Sequence, residues 1–267
     1  MRERDRGFRP VHGAVLLEWS SAASFPVAPE SDIHHVHGVP TMPAIVLVHG
    51  LWADGSCWSE TITALRALGH EPVAVQLPLE SLDGDVAVVH RVLSTVKGPV
   101  LLVGWSYGGA VVTNAARGRD DVAALAYIAG FAPDEGETVG DIVRRHPGSL
   151  LFQHLKVTED GYSYLDRPDY GTVMSADATP ERNAIAGAVQ KFPRLGIEAN
   201  PSGVPAWRDL PTHYLVATED RALPVATQRE LAARMGARTT EWDTGHGPMY
   251  SRPADLAAYL DTIAGGL

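Results

Sequence analysis

Three residues far apart along this chain have the types and spacing for covalent chemistry: a serine, a histidine and an acid. Ser106 stands in Gly104-Trp105-Ser106-Tyr107-Gly108-Gly109, between the apolar run 99–103 and the small-residue run 110–116. A serine on a sharp strand-to-helix turn occupies strained backbone, tolerated only where the residues two before and two after it lack bulky side chains. Gly104 and Gly108 meet that requirement. Such a turn lifts the hydroxyl out of the sheet, and the amino terminus of the following helix favours negative charge beside it.

A serine hydroxyl is a weak nucleophile until a base takes its proton, and the base needs an acid to orient it. On a strand-turn-helix elbow the partners follow in the order nucleophile, acid, histidine. Only His146, His154, His213 and His246 come after Ser106. The first two fall in an irregular stretch, and His213 begins a strand expected to be buried. His246 follows the expected last strand, 238–242, in Asp243-Thr244-Gly245-His246-Gly247-Pro248, whose glycines suit a tight active-site turn. The strand 214–217 ends in Thr218-Glu219-Asp220-Arg221, so Asp220 is the expected acid and Glu219 its competitor.

Attack on a carbonyl leaves charge on its oxygen, which needs donors already in place. The expected donors are the backbone N–H groups of Tyr107 and of Leu51, the latter in His49-Gly50-Leu51-Trp52, where Gly50 lets the chain turn sharply. Because these donors are amides, exchange of the Leu51 or Tyr107 side chain leaves part of the catalysis in place.

Positioning these groups is the task of the elements around them. From Met42 onward, short β-type runs alternate with helical-period runs, the pattern of an α/β fold with a mostly parallel central sheet flanked by helices. Strands are expected at 44–48, 73–76, 100–103, 125–128 and 214–217. Trp58, Ile62, Leu65 and Leu68 lie at helical spacing before Gly69, and Asp85 is the expected cap of the next helix. Between about 132 and 210 the rhythm breaks around seven prolines. This stretch reads as a cap segment inserted at the carboxyl end of a strand, over the crevice where open α/β sheets bind ligands. Phe152, Tyr162, Tyr164, Phe192 and Trp207 either line that pocket or form the insertion's own small core.

A chain of 267 residues, 45% of them hydrophobic, can bury a full core in one domain, taken here as 42–267. A net charge of −10 argues against a nucleic-acid partner, and no apolar run is long enough for a membrane helix. Cys57 is the only cysteine, which excludes an intramolecular disulfide and fits a reducing cytoplasm. Residues 1–41 read as a mobile extension or an overextended start, with a possible short strand at 14–19. Its histidines, His34, His35 and His37, fit a polar tail better than a metal site.

Together these residues resemble the α/β-hydrolase superfamily over 42–267. The pair His49-Gly50 with Trp58 nine residues beyond the histidine, the Ser106-Tyr107-Gly108-Gly109 elbow, and Ala129-Gly130-Phe131-Ala132-Pro133-Asp134-Glu135-Gly136-Glu137 are similar to small bacterial hydrolases akin to plant methyl esterases and hydroxynitrile lyases. The resemblance implies an eight-stranded sheet with the cap after the sixth strand. It also marks departures. Lyase members resemble one another in a threonine in the first oxyanion loop and a lysine after the histidine, where this chain has Gly50 and Gly247. Ser106 replaces the aspartate of dehalogenases and epoxide hydrolases, and Trp105, often histidine in relatives, implies a change of packing.

The expected reaction is cofactor-free and metal-free hydrolysis of a small-molecule ester or related acyl bond through an acyl-enzyme on Ser106. Two other readings share the scaffold: a ligand-binding sensor or accessory protein with a retained triad, and a cofactor-free lyase. Multiple turnover of a simple ester separates the first from the sensor, and product analysis separates it from the lyase.

Overall fold

The computed structural model describes residues 42–267, so the extension, the suggested strand at 14–19 and the histidines at 34, 35 and 37 lie outside the described residues. Runs such as Ala-Ile-Val-Leu-Val and Val-Leu-Leu-Val-Gly-Trp are apolar at consecutive positions. A strand of that kind is stable only where both its faces are covered. In chain order the first elements are β1 (Ala44–Val48), α1 (Ser59–Ala67), β2 (Val73–Ala74), α2 (Leu82–Leu93), β3 (Val100–Trp105), α3 (Tyr107–Ala115) and β4 (Val122–Ile128). The insertion then contributes α4 (Val139–Val143), α5 (Leu151–His154), a two-stranded hairpin of β5 (Leu155–Val157) and β6 (Ser163–Leu165), α6 (Tyr170–Met174) and α7 (Pro180–Val189). The chain finishes with β7 (Thr212–Ala217), α8 (Val225–Arg234), β8 (Arg238–Trp242), α9 (Pro248–Ser251) and α10 (Pro253–Ala264).

Six strands form one sheet in the order β2-β1-β3-β4-β7-β8, every pairing parallel. All of β3 is buried, as is β1 beyond its first residue. Against the eight-stranded sheet implied by the resemblance, the central sheet of the described residues has six strands. The insertion that follows the sixth strand of that count therefore follows β4 here, between Ile128 and Thr212.

From β1 the chain runs to β2 on one side and then returns to β3 on the other, so the strand order reverses between β1 and β3. Loops leaving the carboxyl ends of two such strands diverge and open a crevice between them. The loop after β1 carries Leu51 and the turn after β3 carries Ser106. Topology alone brings Ser106 and Leu51, the expected nucleophile and one expected oxyanion donor, to the same crevice.

One local expectation is corrected. Ser81, not Asp85, caps α2: its side chain accepts from the Gly84 N–H at 3.2 Å. Asp85 lies inside the first turn with its carboxylate turned inward, accepting from the Leu79 N–H at 2.9 Å and the Tyr107 hydroxyl at 2.8 Å. Serine and aspartate both suit the cap position, and the inner contacts of Asp85 decide between them.

Candidate active site

Ser106 is the residue before α3 and has φ 53° and ψ −126°, a region that residues with side chains rarely adopt. Neighbouring backbone enforces the turn. The Ser106 carbonyl accepts from the N–H groups of Gly109 and Phe131, both at 2.9 Å, while its own N–H reaches the Ile128 carbonyl at 3.2 Å. A Cβ on Gly104 would lie 2.5 Å from the Gly108 oxygen, and one on Gly108 would lie 2.4 Å from the Val48 oxygen. Neither position has room for a side chain.

Strand β7 ends beside the site and delivers Asp220, and the loop after β8 delivers His246. Nδ1 of His246 lies 2.6 Å from Oδ2 of Asp220, and both side chains are buried. The carboxylate has three further donors: Gln228 Nε2 at 2.8 Å on Oδ2, and the Ala222 and Leu223 N–H groups at 2.7 and 2.8 Å on Oδ1. A carboxylate surrounded by donors accepts as an anion, so Nδ1 of His246 carries a proton and Nε2 is left as an acceptor. Glu219 is exposed, and the partner of His246 is Asp220. Ser106 and His246 are not hydrogen-bonded to each other here, a contact that often tightens only with substrate. The other late histidines lie elsewhere, His146 paired with Glu230 and His154 with Asp169.

The loop expected to supply an oxyanion donor is built differently from expectation. Its positive φ falls on Trp52, at 55°, rather than on Gly50. Gly50 is required by close approach, since a Cβ there would come 2.7 Å from Cβ of Ser106. His49 anchors the loop: Nε2 accepts the Leu77 N–H at 3.0 Å, and Nδ1 donates to the Gly50 carbonyl at 2.8 Å. Those two bonds admit one neutral tautomer. Burial, helped by the charge of Lys191 and opposed by the Gly50 bond, takes its pKa from 6.5 down to about 4. Tyr107 opens α3, where a backbone N–H has no partner inside the helix. Its side chain is spoken for by Asp85, whose pKa is raised by burial against the Leu79 and Tyr107 bonds.

Two contacts escaped the sequence reading. Trp105 does more than fill space, because its indole N–H donates to the His246 carbonyl at 2.8 Å and its ring centroid lies 5.5 Å from the imidazole. Asp177, in the insertion, accepts from the Thr244 hydroxyl at 2.7 Å, two residues before His246.

A cavity of about 70 Å³ opens above Ser106, walled by Leu51, Phe131, Val139, Val143, Leu155 and Ile197, with Ser163 and Glu198 as polar wall groups. Ser163 Oγ accepts the Trp52 indole N–H at 3.2 Å, which leaves its own proton free to donate. Of the five aromatic residues expected here, Phe152 alone reaches the cavity. Tyr164 and Phe192 stack on one another at 5.1 Å, Tyr162 donates to Glu80, and Trp207 donates to the Pro133 carbonyl. A larger depression of about 220 Å³, between Cys57, α7 and Tyr250, contains none of the three triad candidates. Chemistry therefore favours the smaller cavity. Among the described residues no three His, Cys, Asp or Glu side chains cluster as metal ligands, and no helix is long and apolar enough to cross a membrane.

An open parallel sheet with a strained serine between β3 and α3, and a histidine-acid pair beyond it, defines the class. The family model for the alpha/beta hydrolase family matches residues 45–259, and the chain belongs to that family. It is 25% identical to "Probable hydrolase R7" of Phoma sp., over 84% of this chain and 99% of that one. It is 22% identical to Methylesterase 1 of Arabidopsis thaliana, over 82% and 95% of the two chains. The fold is similar to that of a crystallised pyrethroid hydrolase, with a TM-score of 0.72 and 22% identity, covering 84% of this chain and 98% of the other.

Proposed function

We propose that this chain hydrolyses carboxylic esters of small molecules through an acyl-enzyme on Ser106. The observation that carries the reading is the strained backbone of Ser106, φ 53° and ψ −126°, at the floor of an apolar cavity with the buried His246–Asp220 pair behind it. Backbone strain of this kind persists only where surrounding contacts over-determine it, and it is common at nucleophiles. Relatives named as a methylesterase and a pyrethroid hydrolase support an ester substrate.

In the proposed cycle Ser106 Oγ attacks the ester carbonyl while His246 Nε2 takes its proton. The carbonyl oxygen becomes an oxyanion, accepted by the N–H groups of Leu51 and Tyr107, and Asp220 stabilises the imidazolium. Collapse expels the alcohol, which receives the proton from His246. Water, deprotonated by the same histidine, then attacks the acyl carbon; the bond to Ser106 Oγ breaks, the acid leaves, and Oγ takes the proton back from His246. Every step uses groups of the chain and solvent water. The narrow apolar cavity favours a small apolar group on one side of the ester.

Steady-state release of p-nitrophenol from p-nitrophenyl acetate tests the reading, with Ser106→Ala and His246→Ala measured beside the wild type. The expected outcome is multiple turnover that falls by at least about 10³-fold in each variant with folding intact. Wild-type turnover no faster than that of Ser106→Ala contradicts it.

A further inference from the structure

The loop that carries His246 is held from the insertion as well as from the sheet. Asp177 lies between α6 and α7, in a turn closed by the Ala178 N–H on the Ser175 carbonyl at 2.9 Å. Its Oδ2 accepts the Thr244 hydroxyl at 2.7 Å, and Thr244 is fully buried, with Oγ1 also 3.1 Å from Ser251 Oγ. Its Oδ1 packs so closely on the next residue that a Cβ on Gly245 would lie 2.6 Å from it. Beyond His246, Arg182 of α7 donates to the Tyr250 carbonyl at 2.9 Å. The segment 244–251 is thus tied to the insertion on both sides of the histidine.

We infer that Asp177 is a positioning residue for the catalytic base: through Thr244 it locks the His246 loop to the insertion, so the base is in register only when the insertion is docked. This rests on His246 serving as the base for Ser106. Although its outer side faces solvent, Asp177 has no ion-pair partner among the described residues and turns its acceptors to the loop. Burial works to raise its pKa, but bonds from Ser251, Thr244 and the Gly245 N–H outweigh it and hold the carboxyl below the usual range. The carboxylate is therefore charged at neutral pH, and a charged acceptor makes the stronger bond to a hydroxyl. An angular error of the imidazole is costly because proton transfer from Ser106 depends on alignment at hydrogen-bond distance.

Three variants test this: Asp177→Ala, Thr244→Val and the double substitution. Valine matches threonine in shape and exchanges only the hydroxyl for a methyl, so it serves if the alanine variant folds poorly. With p-nitrophenyl acetate, each single variant is expected to lose about tenfold in kcat with KM unchanged, and the double to be no worse than the poorer single. The downfield proton resonance of His246 Nδ1–H, shared with Asp220, is expected to broaden in all three. A merely structural tether lowers the melting temperature and leaves kcat and that resonance as in the wild type, which overturns the inference. Additive losses in the double variant also overturn it. Wild-type turnover equal to that of Ser106→Ala instead sinks the hydrolase reading, and the Nδ1–H resonance then decides the clamp without substrate.

Discussion

The indole N–H of Trp105 donates to the carbonyl oxygen of His246 across 2.8 Å, and the two rings lie 5.5 Å apart. The residue before Ser106 thereby holds the loop of His246, the proposed base, although 141 positions separate them. Trp105→Phe removes the donor together with the five-membered ring of a fully buried indole, leaving a small void and an unpaired buried carbonyl. Stability is expected to fall by about 1–3 kcal/mol, and kcat for a p-nitrophenyl ester by about tenfold. Urea unfolding and steady-state kinetics on the same preparations check both, and wild-type kcat in Trp105→Phe argues against the link.

Two adjacent carboxylates at the end of β7 have opposite surroundings. Asp220 holds His246 and three further donors, whereas Glu219 is exposed. Asp220→Asn is expected to lower kcat by as much as about 10⁴-fold, because an amide donor facing Nδ1 favours the wrong tautomer. Glu219→Gln is expected to stay within a few-fold of wild type. Equal losses in the two variants would remove the assignment.

Tyr107 separates backbone from side-chain roles. Its amide is the proposed oxyanion donor, while its hydroxyl donates to the buried Asp85 at 2.8 Å. Tyr107→Phe leaves the amide in place and takes one donor from a buried carboxylate. The expected result is a loss of about 1–3 kcal/mol in stability with kcat changed only a few-fold, read by denaturant unfolding and ester turnover.

His49 gives a pH dependence with a definite sign. In the folded chain burial depresses its pKa to about 4 from 6.5, so between those values the unfolded chain binds a proton that the folded chain does not. Stability then rises with pH across the window, and acidification from 6.5 to 4 costs about 3 kcal/mol through this residue. The stability difference between wild type and His49→Gln is expected to shrink as pH falls through the window. A difference constant with pH contradicts the neutral tautomer.

How much of this was legible in the sequence depends on the range of the contacts involved. The Ser106 elbow was readable because its glycines answer to backbone within a few residues or in the next strand. The contact between His246 and Asp220 was readable from chain order and from a strand end, whereas the exposure of Glu219 beside it became visible only in the fold. Asp85 was misread because an aspartate near a helix start looks like a cap, whereas its partners are Leu79 and a phenol 22 residues away. Gly50 was assigned to the right loop for the wrong reason: close packing on Ser106 demands it, and that is invisible without the fold. Trp105 and Asp177 act on partners 141 and 67 residues distant, and nothing local in their surroundings marks them. The irregular insertion hid which aromatic residue, Phe152, reaches the cavity.

Ser106 is proposed as the covalent nucleophile and His246 as its base. The most direct measurement is intact mass, followed by peptide mapping, after exposure to a fluorophosphonate. The expected result is a single adduct on Ser106 in the wild type, formed at least about 10³-fold more slowly in His246→Ala. An adduct on another residue, or equal labelling of Ser106 without His246, would contradict it.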